Sequence, residues 1–394
     1  MPSTRPRIVF KDGVCNGCWW AEEKKQIDWT SRAKEFTSLI GEHRGNGPYD
    51  CVVPFSGGKD SATIAWKLKF EHGLNPLLVT FGQLLWTNVG RRNLDRVCEA
   101  GLDVLYWRVN QAVSRKLARR FFIERGHPKQ HYDAAVNAVP LITAVKFGIP
   151  LVCYAEQGEL EYGGLVLNEE SHRTRSLTEV LEHQIGDDAR NWATDGISEA
   201  DLYPYIYPPL EDIERVGVKA YYFSYFFGPW DIYENAKFAL EKMGFEQARH
   251  DEPLDTSGAP GPHRPGWPGQ TSFIRDRKDG CLTWWGKSDG SFEGMDSIDD
   301  SIDDLDYYMC YIKFLLGRST RMASRLIQNG HINRKQGLEL VRRYDGEYPN
   351  TYLPQVLEYL GMTEAEMNET VDKHRNPELW VKESGEWKPR FRPA

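Results

Sequence analysis

No stretch of the chain reaches the roughly 18 consecutive apolar residues that a membrane-spanning helix requires. Its first residues, Met-Pro-Ser-Thr-Arg-Pro-Arg, lack the apolar core of a secretory signal. No membrane association is expected. Cysteine is sparse, with seven residues scattered over 394 and odd in number. That excludes a disulfide scaffold and fits a reducing compartment, so a cytoplasmic protein is expected. Basic charge is in deficit: 49 Lys and Arg stand against 57 Asp and Glu, a net charge of −8. Coating nucleic acid favours a basic surface, so no nucleic-acid partner is expected. There is no internal repeat and no G-x-x-x-x-G-K-[ST] loop. Aromatics are plentiful, with 13 Trp and 19 Tyr, and they suit ordinary cores as well as sugar or base stacking. The length allows two domains, or one large domain with an appendage.

The most informative stretch runs from Asp50 to Lys69, D-C-V-V-P-F-S-G-G-K-D-S-A-T-I-A-W-K-L-K. It reads as a buried strand, a glycine turn, and a helix with Ile64, Ala65 and Leu68 at helical spacing. A glycine pair between strand and helix lets backbone N–H groups approach an anion, and the helix start adds a positive dipole end. Ser56 and Ser61 add hydroxyls, and Lys59 adds a mobile charge. The turn Ser56-Gly57-Gly58-Lys59-Asp60-Ser61 is therefore a candidate phosphate cradle.

Around it the chain alternates strands and helices, which predicts a parallel sheet with right-handed crossovers. Strands are expected at 49–54, 76–81, 103–109 and 149–155, with a further one at 218–225. Helices are expected at 29–43, from 61 onward, and at 90–100, 110–125, 132–147, 176–183 and 229–243. Ligands in such sheets sit beyond the carboxyl ends of the strands, which directs attention to Ser56–Ser61, Thr80 to Gln83, and Glu156 to Glu161. The last of these, E-Q-G-E-L-E-Y-G-G, could hold Mg²⁺, a ribose or an incoming amine, or be a solvated charged loop.

Residues 1–28 read as an irregular arm carrying Cys15-Asn16-Gly17-Cys18. One C-x-x-C supplies half of a four-ligand zinc site; a redox pair and two buried thiols are the alternatives. Residues 253–292 have no periodicity and read as a loop or lid, with a hairpin near Cys281–Trp285. Beyond them come helices at 301–316, 320–329, 334–343 and 363–374, the last opened by the capping box Thr363-Glu364-Ala365-Glu366. Arg318, Arg321 and Arg325 share one helix face, suited to a carboxylate, a phosphate or plain solvent exposure. His172, Arg173 and His263 are weaker candidates. The resulting division is an arm with one helix (1–45), an α/β domain (46–250), a Gly/Pro/Trp-rich loop (251–295) and a helical region (296–394).

S-G-G-K-D-S resembles the PP-loop of the ATP pyrophosphatase superfamily, whose members cleave ATP between the α and β phosphates. Further phrases resemble the N-acetyl sugar amidotransferase family within it. They are S-T-R-P with G-V-C-N-G-C (Ser3 to Cys18), N-V-G-R-R-N-L (Asn88 to Leu94), E-L-E-Y-G-G (Glu159 to Gly164), P-W-D-I-Y-E-N (Pro229 to Asn235) and K-F-L-L-G-R-S-T (Lys313 to Thr320). The resemblance implies an α/β fold of the PP-loop type and an AMP-forming ligase of surface polysaccharide (O-antigen) or nonulosonic acid biosynthesis. ATP would adenylate an N-acetyl oxygen of an anionic sugar, and ammonia would replace it to leave an acetamidino group. It implies ATP and Mg²⁺ as cofactors, with Ser56, Gly57, Gly58, Lys59, Asp60, Ser61, Thr80 and Phe81 at the nucleotide. Lys59, Asp60 and Glu156 would be catalytic, Asp60 and Glu156 also serving as Mg²⁺ ligands. Glu159, Glu161, Tyr162, Arg318, Arg321 and Arg325 would face the sugar. The family pattern places another C-x-x-C ahead of S-T-R-P, so Cys15 and Cys18 would form an incomplete zinc site. No glutaminase segment is recognisable. Ammonia is therefore expected from a separate glutaminase subunit, with a cyclase-like partner in some systems, and an oligomer is compatible with this. Two alternatives stand beside this reading: a PP-loop tRNA-modifying enzyme, which should be basic, and a non-catalytic ATP-binding protein, which should form no AMP.

Overall fold

The computed structural model describes residues 1–45, 47–166, 168–176, 180, 186–247 and 290–391, together with the backbone of 275–276 and 282–283. At its centre are five parallel strands: β1 (Cys51–Pro54), β2 (Pro76–Phe81), β3 (Asp103–Trp107), β4 (Leu151–Tyr154) and β5 (Lys219–Tyr222). Their order across the sheet is β3-β2-β1-β4-β5. Val52 on β1 registers with Leu77 on β2 and with Val152 on β4. The strands read as unbroken apolar runs because both faces are covered, as parallel sheets require.

Alternate residues serve opposite faces. Cys51, Val53, Leu78 and Cys153 pack with Phe36, Ile64, Leu68 and Phe226 on one side. Val52, Leu77, Val79, Phe81 and Val152 pack on the other with Phe121, Phe122 and Tyr132. The second core also takes in Ile302, Leu305, Met309, Leu353, Met367 and Trp380. The C-terminal helices Asp303–Phe314, Leu353–Leu360 and Glu364–Lys373 thus bury their apolar faces in the same core as the sheet.

The strand order reverses direction between β1 and β4. At such a switch point the loops after the two strands diverge and leave a crevice at the carboxyl edge. The glycine turn follows β1, and the Glu156–Gly164 stretch follows β4.

Several segments differ from the sequence reading. The arm is not wholly irregular: Asn16–Glu23 is a helix that starts at the C-x-x-C, preceded by a short hairpin of Phe10–Lys11 and Val14–Cys15. Its local amphipathic signal is weak, and docking of Trp20 and Lys24 fixes it. The last strand stops at Tyr222 and passes into a helical turn, Phe223–Phe226, which carries Phe223 and Phe226 into the core. The helix Leu353–Leu360 and the hairpin Trp380–Glu383 with Glu386–Pro389 were not expected. The capping box at Thr363 and Glu366 is formed. Most of the expected 176–183 helix, the side chains of the expected hairpin and His263 lie outside the described residues, as does most of the 251–295 loop. The backbone of Arg275–Asp276 pairs antiparallel with Leu282–Thr283.

Candidate active site

The glycine turn is built to be tight. Gly57 has φ of +97°, a region that favours glycine, and a Cβ there would stand 3.2 Å from the Trp86 ring. Gly58 is the N-cap of the helix Lys59–Phe70 and donates its N–H to Ser56 Oγ at 3.2 Å. Ser61 Oγ donates back to the Gly58 carbonyl at 3.3 Å. The unpaired N–H groups of the helix's first turn lie at this point, where an anion is favoured. Thr80 and Phe81 lie inside the sheet, 0% and 2% exposed.

Lys59 is only 5% exposed, yet it is paired twice. Its Nζ donates to Asp60 Oδ2 at 2.8 Å and to Asp296 Oδ1 at 2.7 Å. Burial disfavours the ammonium, but Asp296 and Asp60 outweigh it and hold Lys59 charged, well above its ordinary pKa. The second Asp60 oxygen accepts from Asn235 Nδ2 at 2.7 Å. Asn235 belongs to the helix Ile232–Met243, whose N-cap Asp231 accepts from Tyr233 and Glu234.

Lys59, Asp60 and Asp296 line a cavity of about 570 Å³. One wall is the turn, with Ser56, Gly58, Lys59, Asp60 and Ser61. Glu156 comes from the end of β4, and Lys129, Tyr132, Asp133 and Asn137 from the start of the helix Gln130–Phe147. The far wall is C-terminal: Met295 to Asp299, Asp303, Asp306, Tyr307 and Arg321. Burial, and then the nearby Asp60, push the Glu156 carboxyl up to about 7. Burial and the neighbouring Asp303 push Asp299 up to about 7 as well. Asp303 rises to about 6, chiefly through burial. His127 sits between Asp306, at 2.8 Å, and Asp133, at 2.9 Å. Burial opposes its charge, but the two carboxylates raise it to about 10.

The C-terminal wall is stitched to the loop after β2. Asp300 accepts from Leu84 N at 3.1 Å and Leu85 N at 3.0 Å, and Ser301 N donates to the Leu85 carbonyl at 2.8 Å. Thr87 N donates to the Asp299 carbonyl at 3.1 Å. Gly90 must be glycine for this approach, since a Cβ would come within 2.6 Å of Asp299 Cα.

The other sequence candidates are divided by the structure. Glu161 is 2% exposed and accepts from Trp20 Nε1 at 2.8 Å and Lys24 Nζ at 3.0 Å. Glu159 pairs with Arg7 at 2.9 Å and Arg5 at 3.6 Å. Both carboxylates thereby clasp the N-terminal arm. Arg325 is buried, with Glu161 at 3.6 Å, and Tyr162 lies between Arg321 and Arg325, each 4.6 Å from its ring. Arg318 is sealed against Glu293 and Asp304, each at 3.4 Å. Of the three arginines, Arg321 reaches the cavity wall, where it also lies over the Tyr307 ring. His172 packs edge-on to Trp20, and Arg173 pairs with Glu35 and Glu170.

Asp296, Tyr307, Lys129 and Asn235 were not singled out from sequence. Asn235 ends the quoted phrase P-W-D-I-Y-E-N, and Asp296 opens an aspartate-rich run, D-S-I-D-D-S-I-D-D-L-D. Those were the only sequence signals for them.

Among the described residues no three His, Cys, Asp or Glu side chains form a ready metal site. Mg²⁺ usually takes one or two carboxylates and fills its remaining positions with phosphate and water. Asp60 and Glu156, both on the cavity wall, fit that need. Zinc does not fit in the same way. Cys15 and Cys18 hydrogen-bond to each other, which pulls the Cys15 thiol down to about 5 and pushes Cys18 up. The described residues supply no further ligand for the four that a structural zinc takes. Cys51 and Cys153 are buried inside the sheet.

Residues 287–392 match the family model described as the C-terminal domain of WbpG-like LPS biosynthesis proteins. The C-terminal region is thus similar to a domain of lipopolysaccharide-biosynthesis proteins, and it supplies Asp296, Tyr307 and Arg321 to the cavity. No curated protein matches the chain.

Proposed function

We propose that the protein is an ATP-dependent, AMP-forming amidotransferase that converts an N-acetyl group of an anionic sugar into an acetamidino group in lipopolysaccharide biosynthesis. The observation that carries this reading is the buried Lys59 ammonium. It stands at a glycine turn on the switch point of a parallel sheet, in a cavity walled partly by the region similar to lipopolysaccharide-biosynthesis proteins.

In this reading the turn's N–H groups, Ser56 and Ser61 receive the β and γ phosphates. Lys59 stabilises the charge that develops on the departing pyrophosphate, where a fixed cation in a desolvated site acts most strongly. The N-acetyl oxygen attacks the α phosphorus, the bond to pyrophosphate breaks, and an O-adenylyl imidate forms. Ammonia adds to the imidate carbon and AMP leaves with the former acetyl oxygen. The product keeps one added nitrogen, and the amidine retains the proton. Mg²⁺, when bound, would neutralise phosphate charge beside Asp60 and Glu156. Arg321 would face the acidic group of the sugar, and the remaining rate gain is positioning. Ammonia would come from a separate glutaminase subunit.

The test is nucleotide analysis after mixing the protein with Mg-ATP, ammonium chloride and a panel of N-acetylated acidic sugars and nucleotide sugars. AMP and pyrophosphate with one member, and a product lighter by about one mass unit through exchange of O for NH, are expected. ADP as the product would overturn the reading. AMP formed only with tRNA would favour a tRNA-modifying enzyme instead.

A further inference from the structure

Lys59 carries two anions of different origin. Asp60 is its neighbour on the same helix turn, and the other Asp60 oxygen is held by Asn235 at 2.7 Å. Asp296 lies 237 residues further along the chain. The Lys59 ammonium is the one hydrogen-bond partner of its carboxylate among the described residues.

The backbone around Asp296 is fixed. Glu293 Oε2 accepts from the N–H groups of Met295 and Asp296, both at 3.0 Å. Arg318 donates to the Asp296 carbonyl. Ser297 turns the chain with φ of +47°, and its hydroxyl bonds the Tyr307 hydroxyl at 3.0 Å. A non-glycine residue in the left-handed region persists only where its surroundings over-determine it. Asp296 is therefore presented to Lys59 from a rigid support.

The Lys59 ammonium stands between two carboxylates, and the nearby Arg318 and Arg321 guanidiniums also favour the charged Asp296. A polyphosphate entering the turn needs that ammonium. Asp60 is tethered by Asn235 and shares a helix with Lys59, so the contact open to exchange is the one across the cavity. We propose that Asp296 is a resident anion for Lys59: it holds the ammonium poised at the glycine turn in the nucleotide-free protein and yields it to the phosphates of ATP. This rests on the ATP reading above. It makes Asp296 a positioning residue that acts through Lys59, and it ties the state of the phosphate cradle to docking of the C-terminal region.

The test is calorimetric binding to the full chain, with inorganic pyrophosphate and ATP as probes, in EDTA and again with Mg²⁺. The variants are D296N, K59M and the double variant, with D296S as a second form should D296N fail to fold. In EDTA, D296N is expected to bind pyrophosphate about tenfold more tightly than wild type, the scale of one close charge contact. That gain should vanish in the K59M background, an outcome that mere loosening of the loop would not give. Equal or weaker binding by a folded D296N in EDTA would overturn the proposal. A loss seen only with Mg²⁺ would also overturn it, by making Asp296 a metal ligand. If wild type and K59M bind both probes equally, or not at all, the ATP reading itself fails. If wild type binds through Lys59 and D296N binds like wild type, only the role of Asp296 fails.

Discussion

Two buried knots of charge sit at the carboxyl edge of the sheet, and they are built alike. In one, Lys59 is held by Asp60 and Asp296; in the other, Glu161 is held by Lys24, Trp20 and, more distantly, Arg325. Each joins the sheet to a segment remote in sequence. The difference is that the Lys59 knot opens on a cavity, and the Glu161 knot is sealed by the N-terminal arm. A buried ion pair whose members have no route to a ligand is structural. One that lines a cavity at a strand switch point is positioned to exchange a partner.

The sharpest way to break that comparison is to remove the central charge of each knot. Lys59→Met should lower AMP formation by roughly 100- to 1,000-fold, the scale of one lost electrostatic stabiliser in an active site, and, by stranding the Asp60 and Asp296 carboxylates, should also lower stability in urea unfolding. Glu161→Ala should lower stability without the catalytic loss. It strands the buried Lys24 and Arg325 cations and should cost about 3–5 kcal/mol in urea unfolding, while pyrophosphate affinity of the folded fraction stays near that of wild type. A catalytic collapse in Glu161→Ala without loss of stability would erase the distinction.

Titration sharpens the comparison further. His127 is raised to about 10 by Asp306 and Asp133 against its burial. Its contribution to stability is therefore complete below about 6.5 and is lost as the pH rises through about 10. The stability gap between wild type and His127→Gln should shrink over that window in denaturation at pH 6, 8 and 10. Glu156 gives a slope of the same sign in a lower window, here because its charged form is disfavoured. Its folded pKa is raised from 4.5 to about 7, so the native state binds more protons between those values. Wild type should lose stability relative to Glu156→Gln as the pH rises from 4.5 to 7. A flat difference would mean that the carboxyl is well solvated. The smallest effect belongs to the outer clasp, where Arg7 is 32% exposed. Arg7→Ala should cost less than about 1 kcal/mol in the same unfolding assay.

The sheet was legible because parallel strands announce themselves as apolar runs between glycine-closed helices. Cys51–Pro54 and Pro76–Phe81 carry that signal without ambiguity. The glycine turn was legible because few sequences place S-G-G-K-D-S between a strand and a helix. The far wall of the cavity was not legible. The order of residues 293–302 comes from bonds to Leu84, Leu85 and Arg318 that sequence spacing cannot reveal. The three carboxylates after β4 look equivalent in sequence. Only tertiary packing separates Glu156, on the cavity, from Glu159 and Glu161, on the arm. The same holds for Arg318, Arg321 and Arg325, which helical spacing groups on one face: Arg318 pairs with Glu293 and Asp304, Arg325 with Glu161, and Arg321 reaches the cavity wall.

The seam between the loop after β2 and residues 298–301 bears on how such a chain can be recombined. A graft that exchanged residues 287–392 for the corresponding piece of another protein would import one of the two anions that grip Lys59. The host would have to keep glycine at position 90, where nothing larger lets the two backbones meet. Position 90 and the incoming 298–301 segment therefore make a matched pair, and a chimera that respects one without the other should fail at the seam before its chemistry can be judged.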